Sequence, residues 1–151
     1  MKGMLESMPF YFWVNSMSVA QLQSRHLILF DLDGTLVDSA ADLYRAMNLS
    51  LEKLQFPLVT EEQVRAWVGK GAAKLCETVL EHIFGQVNTE QQKQLLDTFV
   101  DIYAQELCVN TQVYTGVLSF LDYCQSHNIV MACVTNKPEH LARGILDILS
   151  L

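Results

Sequence analysis

Basic residues are few: 10 Lys and Arg are scattered among 151 positions against 17 Asp and Glu, for a formal net charge of −7. Affinity for nucleic acid comes from clustered cations that neutralise phosphates, so this balance excludes DNA and RNA as default partners. Long apolar runs are missing too, the longest being Phe10–Val14 and Ile129–Val134. A membrane span needs roughly 18 to 20 apolar residues in succession, so a spanning helix is excluded and the membrane is not an expected partner. Prolines number only 3, and there is no repeat, low-complexity tract or Gly/Ser linker, which leaves no place for a loose tether between modules. The four cysteines, Cys76, Cys108, Cys124 and Cys133, form no C-x-x-C pair and have no histidine at ligand spacing. A zinc or disulfide framework is therefore unsupported, and free thiols on buried faces in a reducing, cytoplasmic setting are the expectation.

What is present is a chain with 50% hydrophobic residues and the length of one ordinary domain, enough for an apolar core. Lys2 and the aromatic block Phe10-Tyr11-Phe12-Trp13 faintly suggest a secretory leader. Asn15 and Ser16 interrupt that run, and no small-residue cleavage site follows. Residues 1–26 are read as an N-terminal extension, with Met1 or Met17 as the start.

Leu27-Ile28-Leu29-Phe30 is an unbroken apolar run that suits a strand covered on both faces of a parallel sheet. Helical spacing follows. Ser39 is a candidate N-cap before Leu43, Met47, Leu51 and Leu54, and Phe56-Pro57 ends the segment. Thr60-Glu61-Glu62-Gln63 has the spacing of a capping box for a short helix with Val64, Trp67 and Val68, stopped by Gly69-Lys70-Gly71. Ala72, Leu75, Cys76, Val79, Leu80, Ile83 and Phe84 form the clearest amphipathic stripe, ending at Gly85. A further helix is predicted from Asn88 or Thr89 to about Val109. Another begins at Thr115-Gly116 and closes at His127-Asn128. Ile129–Val134 reads as a second buried strand, followed by a helix with Asn136 at its N-cap and Glu139 at N3.

Two such strands, each ending in polar residues and each followed by helical sequence, are pieces of a parallel α/β sheet. Four helical segments lie between them, too many for one crossover, and are read as an inserted helical module. In open α/β sheets ligands sit outside the carboxyl ends of the strands, where Asp31–Thr35 and Thr135–Lys137 both fall. Neighbouring strands lie about 4.8 Å apart, so the two clusters could meet on one phosphate group. Asp31 and Asp33 offer two carboxylates, which allows one nucleophile and one acid/base. Gly34 permits a sharp turn whose successive N–H groups suit an anion, and Thr135 adds a hydroxyl. Each piece has a plainer reading: Asp-Gly is a common turn former and Thr135-Asn136 a common helix cap. A calcium loop is excluded because the later acids and the preceding helix of that pattern are missing.

Leu29-Phe30-Asp31-Leu32-Asp33-Gly34-Thr35-Leu36-Val37-Asp38-Ser39 resembles the first motif of the haloacid dehalogenase superfamily, and Val134-Thr135-Asn136-Lys137-Pro138 resembles its second. Trp67–Gly71 and Val113–Val117 are similar to the phosphoglycolate phosphatase branch, and the resemblance covers about residues 27–149. It implies an α/β fold: a Rossmann-like parallel sheet core from 27–39 and 111–151, incomplete in this chain, with a helical cap inserted over 40–110. It further implies Mg²⁺-dependent hydrolysis of a phosphate monoester on a small phosphorylated metabolite, 2-phosphoglycolate foremost. Asp31 would be the nucleophile, forming an aspartyl-phosphate and ligating the metal. Asp33 would be the acid/base and ligate Mg²⁺ through its carbonyl. The main chain of Leu32 and Gly34, with Thr135 and Asn136, would bind phosphate, and Lys70 in the cap would reach the rest of the substrate. An acid at position 33 also disfavours dehalogenation, for which the superfamily lacks it.

Lys137 is tempting as the superfamily's catalytic lysine, but in this branch that lysine lies further along the chain, so Lys137 is read as a helix-start residue. Thr115 stands where the branch usually has proline and Asn128 where it often has glycine. The third motif, a lysine, and the fourth, an acidic cluster, would follow the last helix and are absent before Leu151. A C-terminally truncated enzyme without full activity is therefore expected, with Leu27–Phe30 left at a sheet edge. A phosphomutase of the β-phosphoglucomutase type and a non-catalytic binding fragment are the alternatives.

Overall fold

The computed structural model describes residues 11–14 and 27–151. Apart from residues 11–14, the N-terminal extension lies outside the described residues, as does the choice between Met1 and Met17. In chain order the elements are β1 Tyr11–Val14, β2 Leu27–Phe30, β3 Val37–Asp38, α1 Ala40–Lys53, α2 Glu61–Trp67, α3 Ala72–Phe84, α4 Thr89–Gln105, β4 Gln112–Val113, α5 Val117–Ser126, β5 Val130–Thr135 and α6 Glu139–Leu149. They fall into two compact units: the described residues up to Asp38 with Val113–Leu151, and Ser39–Gln112.

Among the described residues, the first unit is built on a three-stranded sheet in the order β1-β5-β2. β2 runs parallel to the central β5, with Leu27 beside Val130 and Phe30 beside Cys133. On the other edge β1 pairs antiparallel to β5, from Tyr11 beside Thr135 to Val14 beside Ala132. This third strand differs from the reading of residues 1–26 as extension alone. Tyr11, Phe12, Trp13 and Val14 are residue types that fit a pleated, half-covered surface, and they supply backbone partners to an edge that β5 would otherwise leave open.

β5 is the buried strand, with Val130, Ala132, Cys133 and Thr135 all buried. β2, equally apolar in sequence, is not covered on both faces: Leu27 and Leu29 are 47% and 57% exposed. Burial alternates along β2: Phe30 turns inward to meet Phe120 of α5 edge-to-face at 6.1 Å, while the face of Leu27 and Leu29 is left exposed. Asn128, at φ 56°, ends the α5 turn in the left-handed region that asparagine tolerates. α6 begins later than the sequence pattern indicates. Its N-cap is Pro138, not Asn136, because a proline cannot donate an N–H and is already fixed near its required φ.

The second unit is a set of four helices. Ser39 precedes α1, and the apolar face of α1 carries Leu43, Ala46, Met47 and Leu51, all buried. α1 packs on α4, whose Leu95, Phe99 and Tyr103 are buried, with the last two rings stacked at 5.9 Å. Thr60 caps α2 in a full capping box with Gln63, and Gly85 closes α3 at φ 72°. α4 stops at Gln105, short of Val109. Arg45 of α1 pairs with the Glu106 carboxylate and donates to the Glu106 carbonyl at 3.1 Å, taking up a helix-end acceptor, and Cys108 then turns left-handed at φ 58°.

Candidate active site

The chain leaves β2 at Asp31 and turns at once. Leu32 and Val37 are fully buried and Leu36 nearly so, which pins the turn from inside by apolar contact. The Leu32 carbonyl accepts the N–H groups of Leu36 at 3.0 Å and Val37 at 3.1 Å. Gly34 sits at φ 83°, where a Cβ is strained, and its N–H donates to the Val37 carbonyl at 2.8 Å. The result is a tight, internally bonded loop with Asp31 exposed at its mouth and Asp33 half-buried behind it. Asp31 is itself braced, since its Oδ1 accepts the Leu32 N–H at 2.8 Å.

At the end of β5, Thr135 is buried and its Oγ1 accepts the Lys137 N–H at 3.2 Å. Parallel pairing sets this end beside the β2 end: Phe30 is level with Cys133, so β5 runs two residues further to Thr135. Asn136 is exposed. Lys137 is 5% exposed, and its Nζ lies 3.2 Å from Asp33 Oδ1. Reading Lys137 as a residue that only starts a helix is therefore corrected: α6 begins at Glu139, and Lys137 belongs to the strand-end cluster.

Asp33, Lys137 and Thr135 are thus joined by direct contacts, with Asp31 on the same loop. Cys133 reports on this charge from the strand beside it. Burial, and then the negative charges of Asp31 and Asp33, push its thiol up to about 11. The N–H groups of Leu32 and Gly34 are both taken up inside the loop, by Asp31 and Val37, so in this structure neither is directed at an anion. Lys70 lies in the other unit, exposed between Gly69 at φ 115° and Gly71 at φ 84°.

Among the described residues there is no group of three or more His, Cys, Asp or Glu poised to hold a metal ion. The donors at the loop are an exposed carboxylate, Asp31, and the main-chain carbonyl of Asp33. These are hard oxygen ligands, and Mg²⁺ commonly takes only one or two carboxylates and keeps several waters, so the donor set suits that ion. Sequence reasoning placed Lys137 in the strand-end cluster but gave it no role beyond starting a helix, and so missed its contact with Asp33. The available signal was a cation two residues beyond an apolar strand, a place where burial demands a partner.

The family described as haloacid dehalogenase-like hydrolase matches residues 28–151. The phosphoglycolate phosphatase of Pseudomonas savastanoi pv. phaseolicola is 42% identical over 127 residues, covering 83% of this chain and 46% of that protein. The phosphoglycolate phosphatase of Haemophilus influenzae is 37% identical over 124 residues, covering 80% of this chain and 55% of its own length. A crystal structure from Haemophilus somnus, described as a predicted phosphoglycolate phosphatase, superposes with a TM-score of 0.76 at 30% identity, covering 83% of this chain and 57% of that one. CbbY from Rhodobacter sphaeroides, solved in complex with phosphate, shares the fold at a TM-score of 0.70 and 17% identity, covering 84% and 58%. The chain spans about half the length of the curated relatives it matches.

Proposed function

The chain belongs to the haloacid dehalogenase-like hydrolase family, and from that premise we propose that it serves Mg²⁺-dependent hydrolysis of a small phosphate monoester, 2-phosphoglycolate being the first candidate. The observation that carries this reading is the meeting of two polar clusters, Asp31–Asp33 and Thr135–Lys137, at the carboxyl ends of two neighbouring parallel strands. The names of the relatives support the substrate class.

In this reading a carboxylate oxygen of Asp31 attacks phosphorus, the P–O bond to the substrate alkoxide breaks, and Asp33 delivers a proton to that alkoxide. Asp33 then accepts a proton from the water that attacks the aspartyl-phosphate. Inorganic phosphate leaves and Asp31 is restored. Thr135 donates its hydroxyl to a phosphoryl oxygen and Asn136 orients the group; the main chain at Leu32 and Gly34 contributes once those N–H groups exchange their present partners. Mg²⁺, held by the Asp31 carboxylate and the Asp33 carbonyl, would neutralise phosphoryl charge. The helical unit Ser39–Gln112 would serve as the cap that excludes water, with Lys70 as its contact to substrate.

The deciding experiment incubates the protein with 2-phosphoglycolate, hexose phosphates and an aryl phosphate, with Mg²⁺ and with EDTA. Mg²⁺-dependent release of phosphate that Asp31→Asn abolishes is the expected result. Transfer between hexose positions would replace this reading by a phosphomutase. Phosphate binding without turnover would leave a binding role.

A further inference from the structure

Lys137 ties the two strand-end clusters together by direct contacts. Its main-chain N–H donates to the Thr135 hydroxyl oxygen at 3.2 Å, and its ammonium, at the far end of the side chain, holds Asp33 Oδ1 at the same distance. Both charged groups are withdrawn from water, with side-chain exposures of 5% for Lys137 and 14% for Asp33. A buried ion pair is a poor means of stabilising a fold, because desolvating two charges offsets most of their attraction and a pair of well-packed apolar residues does as well or better. Its benefit is geometric. An aspartate that must give a proton to a leaving group and later take one from water has to stand within hydrogen-bond reach of both, and small misplacements cost on the order of 10²-fold in rate.

We infer that Lys137 is a positioning residue: its buried ammonium fixes the orientation of the Asp33 carboxylate, while its N–H fixes the acceptor side of the Thr135 hydroxyl so that the O–H points outward to donate. A hydroxyl has one proton to give, and the N–H bond at its oxygen settles where that proton is not. The inference rests on the reading of Asp33 as acid/base. It assigns Lys137 no contact with phosphate, so substrate affinity and chemistry should separate when its side chain is changed. The main-chain N–H survives in Lys137→Met and Lys137→Arg, so the Thr135 hydroxyl keeps its orientation while the contact with Asp33 is changed.

The test compares wild type, Lys137→Met, Lys137→Arg, Asp33→Asn and the Asp33→Asn/Lys137→Met pair in the full chain with Mg²⁺. Three quantities are measured: binding of inorganic phosphate by calorimetry, turnover of an aryl phosphate, and thermal unfolding. Lys137→Met should lower kcat at least tenfold while changing phosphate affinity and KM by less than about threefold, Lys137→Arg should recover most of the loss, and Lys137→Met should cost nothing further in the Asp33→Asn background. A loss of phosphate affinity matching the loss of kcat would overturn the inference, because the ammonium would then act on the anion itself. Equal losses with and without Asp33 would overturn it as well. Should the wild type turn over no ester, the phosphatase reading falls, and thermal unfolding still decides the present inference: additive shifts for the two substitutions sink it, and coupled shifts retain it.

Discussion

The carboxylate of Asp42 accepts two hydrogen bonds from Thr111, one from its N–H at 2.8 Å and one from its hydroxyl at 2.6 Å, joining the first turn of α1 to the segment that ends the helical unit. Asn110 adds its main-chain N–H and its side-chain amide, each at 3.0 Å. Asp42 is fully buried, so these donors stand in for its lost water.

Asp42→Asn should therefore destabilise the helical unit by about 3 kcal/mol, since hydrogen bonds to a charged acceptor contribute ~1.5–3 kcal/mol and the amide would turn a donor toward donors. Burial alone would raise the Asp42 pKa; the Thr111 hydroxyl and the Asn110 and Thr111 N–H groups outweigh it and hold the carboxyl below the ordinary aspartate value. The folded pKa thus lies below the unfolded one of about 3.9, so this stabilisation is present above about pH 4 and lost as pH falls through the folded value. Denaturant titrations from pH 7 to pH 2 should show a shallower acid loss for Asp42→Asn than for wild type. Parallel curves would show that the network has no charge-dependent part.

Thr135 offers a second separation. Thr135→Val keeps the buried, branched shape at the end of β5 but removes the hydroxyl that Lys137 N–H orients. Affinity for inorganic phosphate in Mg²⁺ should fall by about tenfold, equivalent to ~1.4 kcal/mol, and Thr135→Ser should restore most of it. Calorimetry on the three proteins checks this. Undiminished binding in Thr135→Val would remove the hydroxyl from the phosphate site.

Much of this was legible in the sequence because local chemistry decided it. The capping box at Thr60 and Gln63, the glycine stop at Gly85 and the left-handed Asn128 each follow from one or two residues, and each is present. The Asp31–Val37 turn was legible for the same reason, since Gly34 and the flanking apolar residues dictate it. What was not legible depends on partners distant in sequence. The edge position of Leu27–Phe30 was expected from the missing motifs, but nothing in the run tells what packs on each of its faces, so a strand that reads as doubly covered has Leu27 and Leu29 exposed. Asp42 carries no signal in the sequence, because Asn110 and Thr111 come to it from far along the chain. Lys137 reads as a helix-start residue until parallel pairing of β2 and β5 brings Asp33 within 3.2 Å of its ammonium.

Lys70 supplies a test of substrate discrimination. It is exposed, flanked by two glycines in the left-handed region, and its removal should leave the helical unit intact, with unfolding unchanged to within ~0.5 kcal/mol. If it contacts the non-phosphate end of the substrate, Lys70→Ala should raise KM for 2-phosphoglycolate several-fold more than KM for an aryl phosphate. Equal changes for both esters would assign Lys70 to solvent.

The edge of the sheet makes a final prediction. Leu29 is 57% exposed on β2, and on α5 of the same unit Leu118, Phe120 and Tyr123 are 51%, 46% and 52% exposed, so apolar surface and strand edge are found together. An uncovered apolar edge strand is a template for pairing with another chain, and a charge placed on it opposes that pairing by forcing a solvated group into the contact. Leu29→Lys should therefore lower concentration-dependent association, seen by sedimentation velocity, while costing little stability because the side chain is already largely in water. Ala132→Lys, one strand over and 1% exposed, is the control: the same charge on buried β5 should unfold the protein outright. Association that persists undiminished in Leu29→Lys would show that the edge is not the contact. A large loss of stability in that variant would show that Leu29 is covered in solution.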